Sequence, residues 1–473
     1  GKVLGLLDAG TPDLNLETNA KQIDQVSSGG AVDAGVTLEL SGVDPTTGKA
    51  IPGLAPTTMV VTQNKKPASN SYNASLQKNM EPQSTIGLPF FAQNSVLYDL
   101  TNQVTGYTPF FVTDALLVTT AGGPLIVDGD NVPLGLAGRV SGAGGVTIRK
   151  GGAVQLSAEN TYTGPTQVSD GAKLFVSGPG SIETSSGVHN DGHFDISRAW
   201  SHHVSIQNLT GSGKTYLGRR NLMITNASGT FSGTISHKHF EGTLYDGTNY
   251  LGFPGTGGGL TLAGGTLTLS GENTYKGLTW VNQGALIVNG SVRSPVLVDY
   301  GGRLGGSGRV GATAIGYGGV LAPGNSIGTM TVNGDLMLNP GALYEVEANA
   351  QGQSDKVVVK GTVNLTGATL LVLEAAGAYK PKTDYVIIDN DGTDAVTGEF
   401  DQVLNTLAFL IPSVTYDGGS GNDVVLTLEL NSSLFKDVAK TRNQRAVAGA
   451  LDKFPTDDPL FLTVLNQTEE GAR

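Results

Sequence analysis

Three short motifs in this chain carry residue types suited to chemistry, and each needs a partner before it can act. Gly324-Asn-Ser-Ile-Gly328 matches the Gly-x-Ser-x-Gly pattern in which a strand-to-helix turn exposes a serine nucleophile. Such a serine needs an acid and a histidine later in the chain. Here strand-like residues follow the motif and no histidine follows residue 239, so Ser326 reads as a turn residue. Gly211-Ser-Gly-Lys-Thr215 has the Lys-Thr of a phosphate-cradling loop, but the glycine that should open the loop is Asn208 and no helical pattern follows. Gly418-Gly-Ser-Gly-Asn-Asp423 fits one calcium nonapeptide. Such sites form between tandem copies, and a single copy reads as a hairpin turn before the last strand.

The histidines are the denser signal. All six lie between His189 and His239, and His237 and His239 would share a face on a strand. Neutral imidazole suits divalent metals near neutral pH. Asp191 and Asp195 are near, but no Cys or Glu completes a set, so the segment reads as a solvated, pH-responsive face with no metal assigned. Arg198, Lys214, Arg219, Arg220 and Lys238 make the same segment basic. That is either a solvated face or a contact for anionic glycans or lipid headgroups. Residues 237–257, HKHFEGTLYDGTNYLGFPGTG, stand where a tight turn would lead into Gly259-Leu-Thr-Leu262. Long loops on repeat scaffolds are where function concentrates. His237, His239, Phe240, Tyr245, Tyr250 and Phe253 are therefore the candidate binding residues; the alternative has the aromatics folded back on the scaffold.

The elements that must position these groups are short strands. Gly is 69 of 473 residues and charged residues only 15 %, without the three-residue period of collagen. A net charge of -12 argues against nucleic acid as a partner, since phosphate binding needs a basic footprint. The absence of cysteine removes disulfides and thiolate metal sites, and no cofactor motif stands out. No signal peptide and no apolar run of membrane-spanning length is seen, and the chain reads as a piece of a longer precursor.

An internal repeat starts near residue 139. GGAVQLSAENTYTGPTQVSDGAKLFVSG (151–178) and GGTLTLSGENTYKGLTWVNQGALIVNG (264–290) share Glu-Asn-Thr-Tyr-x-Gly at Glu159–Gly164 and Glu272–Gly277. One unit cannot bury its apolar face alone, and stacking supplies a continuous core. Asn160 and Asn273 suit an inward ladder in which each amide pairs with the coils above and below. Further on, Thr329–Val332, Asp335–Leu338, Tyr344–Glu347, Lys356–Lys360 and Thr369–Leu373 form a run of hairpins or stacked coils. Asp384–Asp389 and Val424–Leu430 are strands. From Ser433 the period becomes helical, with Leu434, Val438, Val447, Ala450 and Leu451 as its apolar stripe. Pro455 ends that helix, and Asp458 with Pro459 opens a second. Residues 1–138 are the least regular, with strand-like Val36–Leu40 and Met59–Thr62 and an aromatic group between Phe90 and Phe111.

The Glu-Asn-Thr-Tyr-x-Gly unit resembles the passenger-associated repeat of bacterial autotransporters. Gly318-Gly-Val-Leu-Ala-Pro-Gly-Asn-Ser-Ile-Gly328, a strand, and Gln353-Ser-Asp-Lys-Val357 resemble the autochaperone region of their passengers. The resemblance implies an all-β, right-handed parallel β-helix, roughly 18–20 coils at 20–25 residues each. It implies an irregular N-terminal region or cap (1–138), a repeat-bearing helix (139–300), an autochaperone-like region (301–430) and a helical linker (431–473) towards a translocator barrel. Gly324, Asn325, Ser326, Gly328, Asp355 and Val357 would belong to the folding template. The expected function is a surface-displayed adhesin or autoaggregation factor of a Gram-negative bacterium, kept on the outer membrane or released. Its partners would be a host or bacterial surface protein or glycan, another copy of itself, and its own barrel. No catalytic residue is assigned, and the expectation is that the chain is not an enzyme. The alternative is the β-helix stem of a passenger protease or esterase whose catalytic part lies upstream of Gly1.

Overall fold

The computed structural model describes the eight strands within residues 1–113 as backbone, then residues 117–238 and 258–471 apart from short breaks at 121–122, 130–132, 392–393, 420, 431–433, 456 and 468–470. Two compact units result, Gly1–Thr113 and Asp114–Arg473. In the first, Thr37–Leu40 and Thr57–Val60 pair antiparallel, as do Asn94–Asp99 and Val104–Pro109. Leu4–Leu7, Gln83–Ile86, Leu14–Glu17 and Ala74–Gln77 share a sheet.

The second unit is a parallel β-solenoid of about ten turns. Of the two arrangements left open by the sequence, hairpins or stacked coils, coils prevail. The chain winds past three faces, and each strand pairs in parallel with the strand one rung on. The long faces hold nine, eight and eight strands. Rungs are present from Leu117, upstream of the first sequence repeat.

Alternation along each strand puts one row inside and the next outside. Leu267, Leu286, Leu304, Leu321, Tyr344 and Leu370 are partners in register and wholly buried. Outside, Thr261, Trp280, Leu297, Ala314 and Met337 form the neighbouring column. The inner rows make one core from Val127 to Leu428. At one corner Gly284, Gly301, Gly318 and Gly341 all hold positive φ, which turns the chain sharply from face to face. The rings of Tyr300 and Tyr317 stack outside that corner, 6.5 Å apart and 11° from parallel.

The expected count of 18–20 coils is too high. Rung length is not constant: Leu260, Thr279, Val296, Thr313, Leu336, Val363 and Val396 are successive partners, in steps of 19, 17, 17, 23, 27 and 33 residues.

At the C-terminal end the pairing changes sense. Lys382–Asn390 runs parallel to Lys356–Val359 but antiparallel to Asp423–Leu430, which pairs antiparallel with Leu410–Gly418. The glycine-rich stretch 418–423 is the turn of that last hairpin. Three helices follow: α1 (Leu434–Val438), α2 (Arg442–Leu451) and α3 (Pro459–Leu465). The single helix expected from Ser433 is thus broken. Thr441 caps α2 in a capping box with Gln444, and a cap must sit outside a helix. Val447, assigned to the apolar stripe, is 61 % exposed. Asp458 caps α3 as expected, its carboxylate accepting the Leu460 N–H at 2.8 Å. Phe409, Phe435, Phe461, Ala448, Leu451 and Leu465 form a second small core.

Candidate functional site

Three places bring chemistry-bearing side chains together. The first is the turn 324–328, between strands Val320–Pro323 and Thr329–Val332. Gly324 has φ +87, and a Cβ there would press on the Ser326 carbonyl and meet Asp355 Oδ1 at 2.6 Å. Asp355, only 3 % exposed, holds the turn from the next rung. One carboxylate oxygen accepts the Gly328 N–H at 2.8 Å and the other the Glu347 N–H at 2.9 Å. Burial pushes the Asp355 carboxyl up to about 6; the two N–H donors and Arg303 oppose the rise, and the Glu347 charge adds to it. Val357, two residues on, is buried between its partners Met330 and Ile388. Asn325 donates to the Asn289 side chain, and Ser326 lies on the surface with its Oγ 3.4 Å from Glu347 Oε2. Strands flank the turn on both sides, so Ser326 has no helix behind it.

The second place is the interior of the repeat. Asn160 Oδ1 accepts the Val140 N–H from the rung before, and its Nδ2 donates to the Ser181 carbonyl on the rung after. Asn273 does the same with Ile235 and Ser291. The ladder expected of these two residues therefore exists, made to backbone on both sides. Beside it runs a buried hydroxyl chain: Tyr162, Thr166 and Ser185 in the first copy, Tyr275, Thr279 and Ser294 in the second, linked at 2.6–2.9 Å. Burial pushes the Tyr275 phenol up to about 12 and Tyr162 higher, so both stay neutral donors. The sequence did not point to Thr166, Ser185, Thr279 or Ser294, because each lies on a rung whose register had to be known first.

The third place is a cleft of ≈ 630 Å³ lined by His237, Lys238, Thr274, Lys276 and Arg293. Leu222 and Leu260 are direct partners, so residues 239–257 depart from one rung and return without shifting the register. His237 and Lys238 stand at the departure point. His239, Phe240, Tyr245, Tyr250 and Phe253 lie outside the described residues. Thr274 and Lys276 come from the next rung, and Arg293 from the one after. Sequence reasoning found His237 and Lys238 but missed Lys276 and Arg293. Arg293 lies one rung beyond Thr274, a relation visible only from register.

The remaining histidines do not converge. His193 shares 3.2 Å with the Tyr216 hydroxyl, while His202 and His203 are exposed. His189 bridges Asp191 at 2.9 Å and Thr210 at 3.0 Å. Those groups follow the order carboxylate, imidazole, hydroxyl, but they sit along an outer strand face and most of the imidazole is in solvent. Gly211–Thr215 is a bend entering the strand Lys214–Tyr216, not a helix start.

Against known proteins, the Passenger-associated-transport-repeat family matches residues 151–172 and 257–288. Those are the stretches that carry the two Asn ladders and hydroxyl chains. Two relatives from Serratia marcescens, both named extracellular serine protease, are similar to the chain at 36 % identity over 215 residues and 33 % over 214. Each match covers 44 % of this chain, and the chain spans about 20 % of each relative's length. The expectation of a non-enzyme is corrected by this finding: the relatives are named for a protease.

Proposed function

From the premise that this chain is an autotransporter passenger folded as a parallel β-solenoid, we propose that it is the solenoid stem of an extracellular serine protease. The observation that carries this reading is the similarity to two relatives of that name, which involves a fifth of their length. Proteolysis in this reading belongs to another segment of the longer protein, and the stem presents that segment at the cell surface or in the medium. The stem's own task is mechanical and kinetic. The region 301–430 folds first: Asp355 clamps the 324–328 turn, and the antiparallel end pairs a sheet edge that a bare rung would leave open. Rungs upstream then add one at a time, each burying apolar residues against the last. The adhesive role has no relative behind it and draws its support from the basic cleft alone.

The test uses the complete protein that contains this chain. Cells displaying or releasing it should cleave labelled casein, and a fluorophosphonate should label the passenger and stop the cleavage. A folded, displayed passenger that neither cleaves casein nor takes the label would overturn the protease reading. Removing 301–430 should lower the amount displayed and leave turnover per displayed molecule unchanged. Equal display of that deletion would overturn the template reading alone.

A further inference from the structure

The cleft at the base of the 239–257 excursion is chemically out of place. The chain carries a net charge of -12, yet four nitrogen-bearing side chains and one threonine from three successive rungs line one concavity. Among the described residues, no carboxylate lies within ion-pair distance of Lys238, Lys276 or Arg293. His237 is held in place, its Nδ1 donating to the Thr274 carbonyl at 3.2 Å, which leaves Nε2 for a ligand.

The two repeat copies show that the fold does not require these charges. Val140 and Ile235 are equivalent, each giving its N–H to the ladder asparagine; Ser181 and Ser291 are equivalent, each giving its carbonyl. By that correspondence Gly142, Ala143, Thr161, Thr163 and Glu183 in the first copy stand where His237, Lys238, Thr274, Lys276 and Arg293 stand in the second. The same scaffold folds with small and acidic residues in one copy and with cations in the other. The cations are therefore an addition to the repeat.

We propose that this cleft binds an anionic oligosaccharide through its sulfate or carboxylate groups. Rungs are spaced by ~4.8 Å, so three of them span ~10 Å along the solenoid, a length suited to a disaccharide. Arg293 offers a planar fork to one oxyanion, and Lys238 and Lys276 offer point charges to the next. A bilayer is flat and cannot enter a concavity of this size, whereas an extended sugar chain can. The surrounding negative field rejects long polyanions that the cleft does not hold closely.

The probe is a short dextran sulfate fraction, titrated against the full chain and followed by fluorescence anisotropy. Binding should appear with dextran sulfate and not with uncharged dextran, and should weaken steeply between low and high salt. The double variant Lys276→Thr, Arg293→Glu installs the residues already tolerated in the first copy, so its β-rich circular dichroism should be unchanged. Its affinity should fall at least tenfold. A second variant, Lys276→Gln with Arg293→Gln, should fall in the same direction. Affinity unchanged in both variants, or equal binding of uncharged dextran, would overturn the proposal. So would binding to phosphatidylglycerol vesicles, or to a DNA duplex, that is variant-sensitive and tighter than binding to dextran sulfate.

Discussion

Asp355 is the residue whose environment most changes its chemistry. An acid with a higher pKa folded than unfolded holds its proton more tightly in the folded state. Its contribution to stability is complete below its model value of 3.8 and is lost as the pH rises through about 6. Asp355→Asn cannot titrate and offers one oxygen to two N–H donors, a loss of about 1–3 kcal/mol. In denaturant titrations at pH 4, 5.5 and 7, the wild-type advantage over Asp355→Asn should therefore be largest at pH 4 and shrink towards pH 7. Parallel curves would show that the carboxyl does not titrate there. The hydroxyl chain gives a second test. Thr279 is its centre, bonded to both Tyr275 and Ser294. Thr279→Val strands two buried hydroxyls, whereas Tyr275→Phe leaves the Thr279–Ser294 bond intact. The first should cost about 2 kcal/mol or more and the second about 1; the reverse order would refute the chain. At this scale the sequence reveals what recurs within one copy, such as Asn160 and Asn273. It hides what is assembled across rungs, such as Ser294 or Arg293, because no local pattern states which residues are one turn apart.

At the scale of elements, strands were legible and helix breaks were not. Thr329–Val332, Lys356–Val359 and Thr369–Glu374 fall where alternation and turn glycines put them. The parallel pairing of these strands could not be read from them, since a buried strand looks alike in a hairpin and in a coil. The division between α1 and α2 was missed although Thr441-Arg-Asn-Gln444 carries the capping-box spacing. The order in which elements form is the more consequential question. Val357 and Val154 are both wholly buried, one in the proposed template and the other about nine rungs upstream. A carboxylate at either site costs several kcal/mol. Val357→Asp should nevertheless abolish surface display of the full precursor, because later rungs lose their seed. Val154→Asp should leave the C-terminal rungs displayed and only the upstream part sensitive to external protease. Equal defects from the two substitutions would remove the C-terminal-first order.

For the whole molecule, the coil count failed because it assumed a constant rung. The lengthening from 17 to 33 residues per step shows that extra chain is absorbed at the corners while the faces keep register. The same tolerance lets 239–257 leave the stack and the cleft form beside it. The C-terminal end follows another logic. A pile of parallel rungs is a filament, and both of its ends could recruit further strands. Here one end is stopped: the final strands turn antiparallel, and Phe409, Phe435 and Phe461 pack face and edge beneath the helices. Accretion is left with a single direction. For a thread emerging through a pore, every rung that snaps onto the stopped end forbids one backward slip. Random motion is thereby rectified into outward travel, with the finished rungs acting as the pawl.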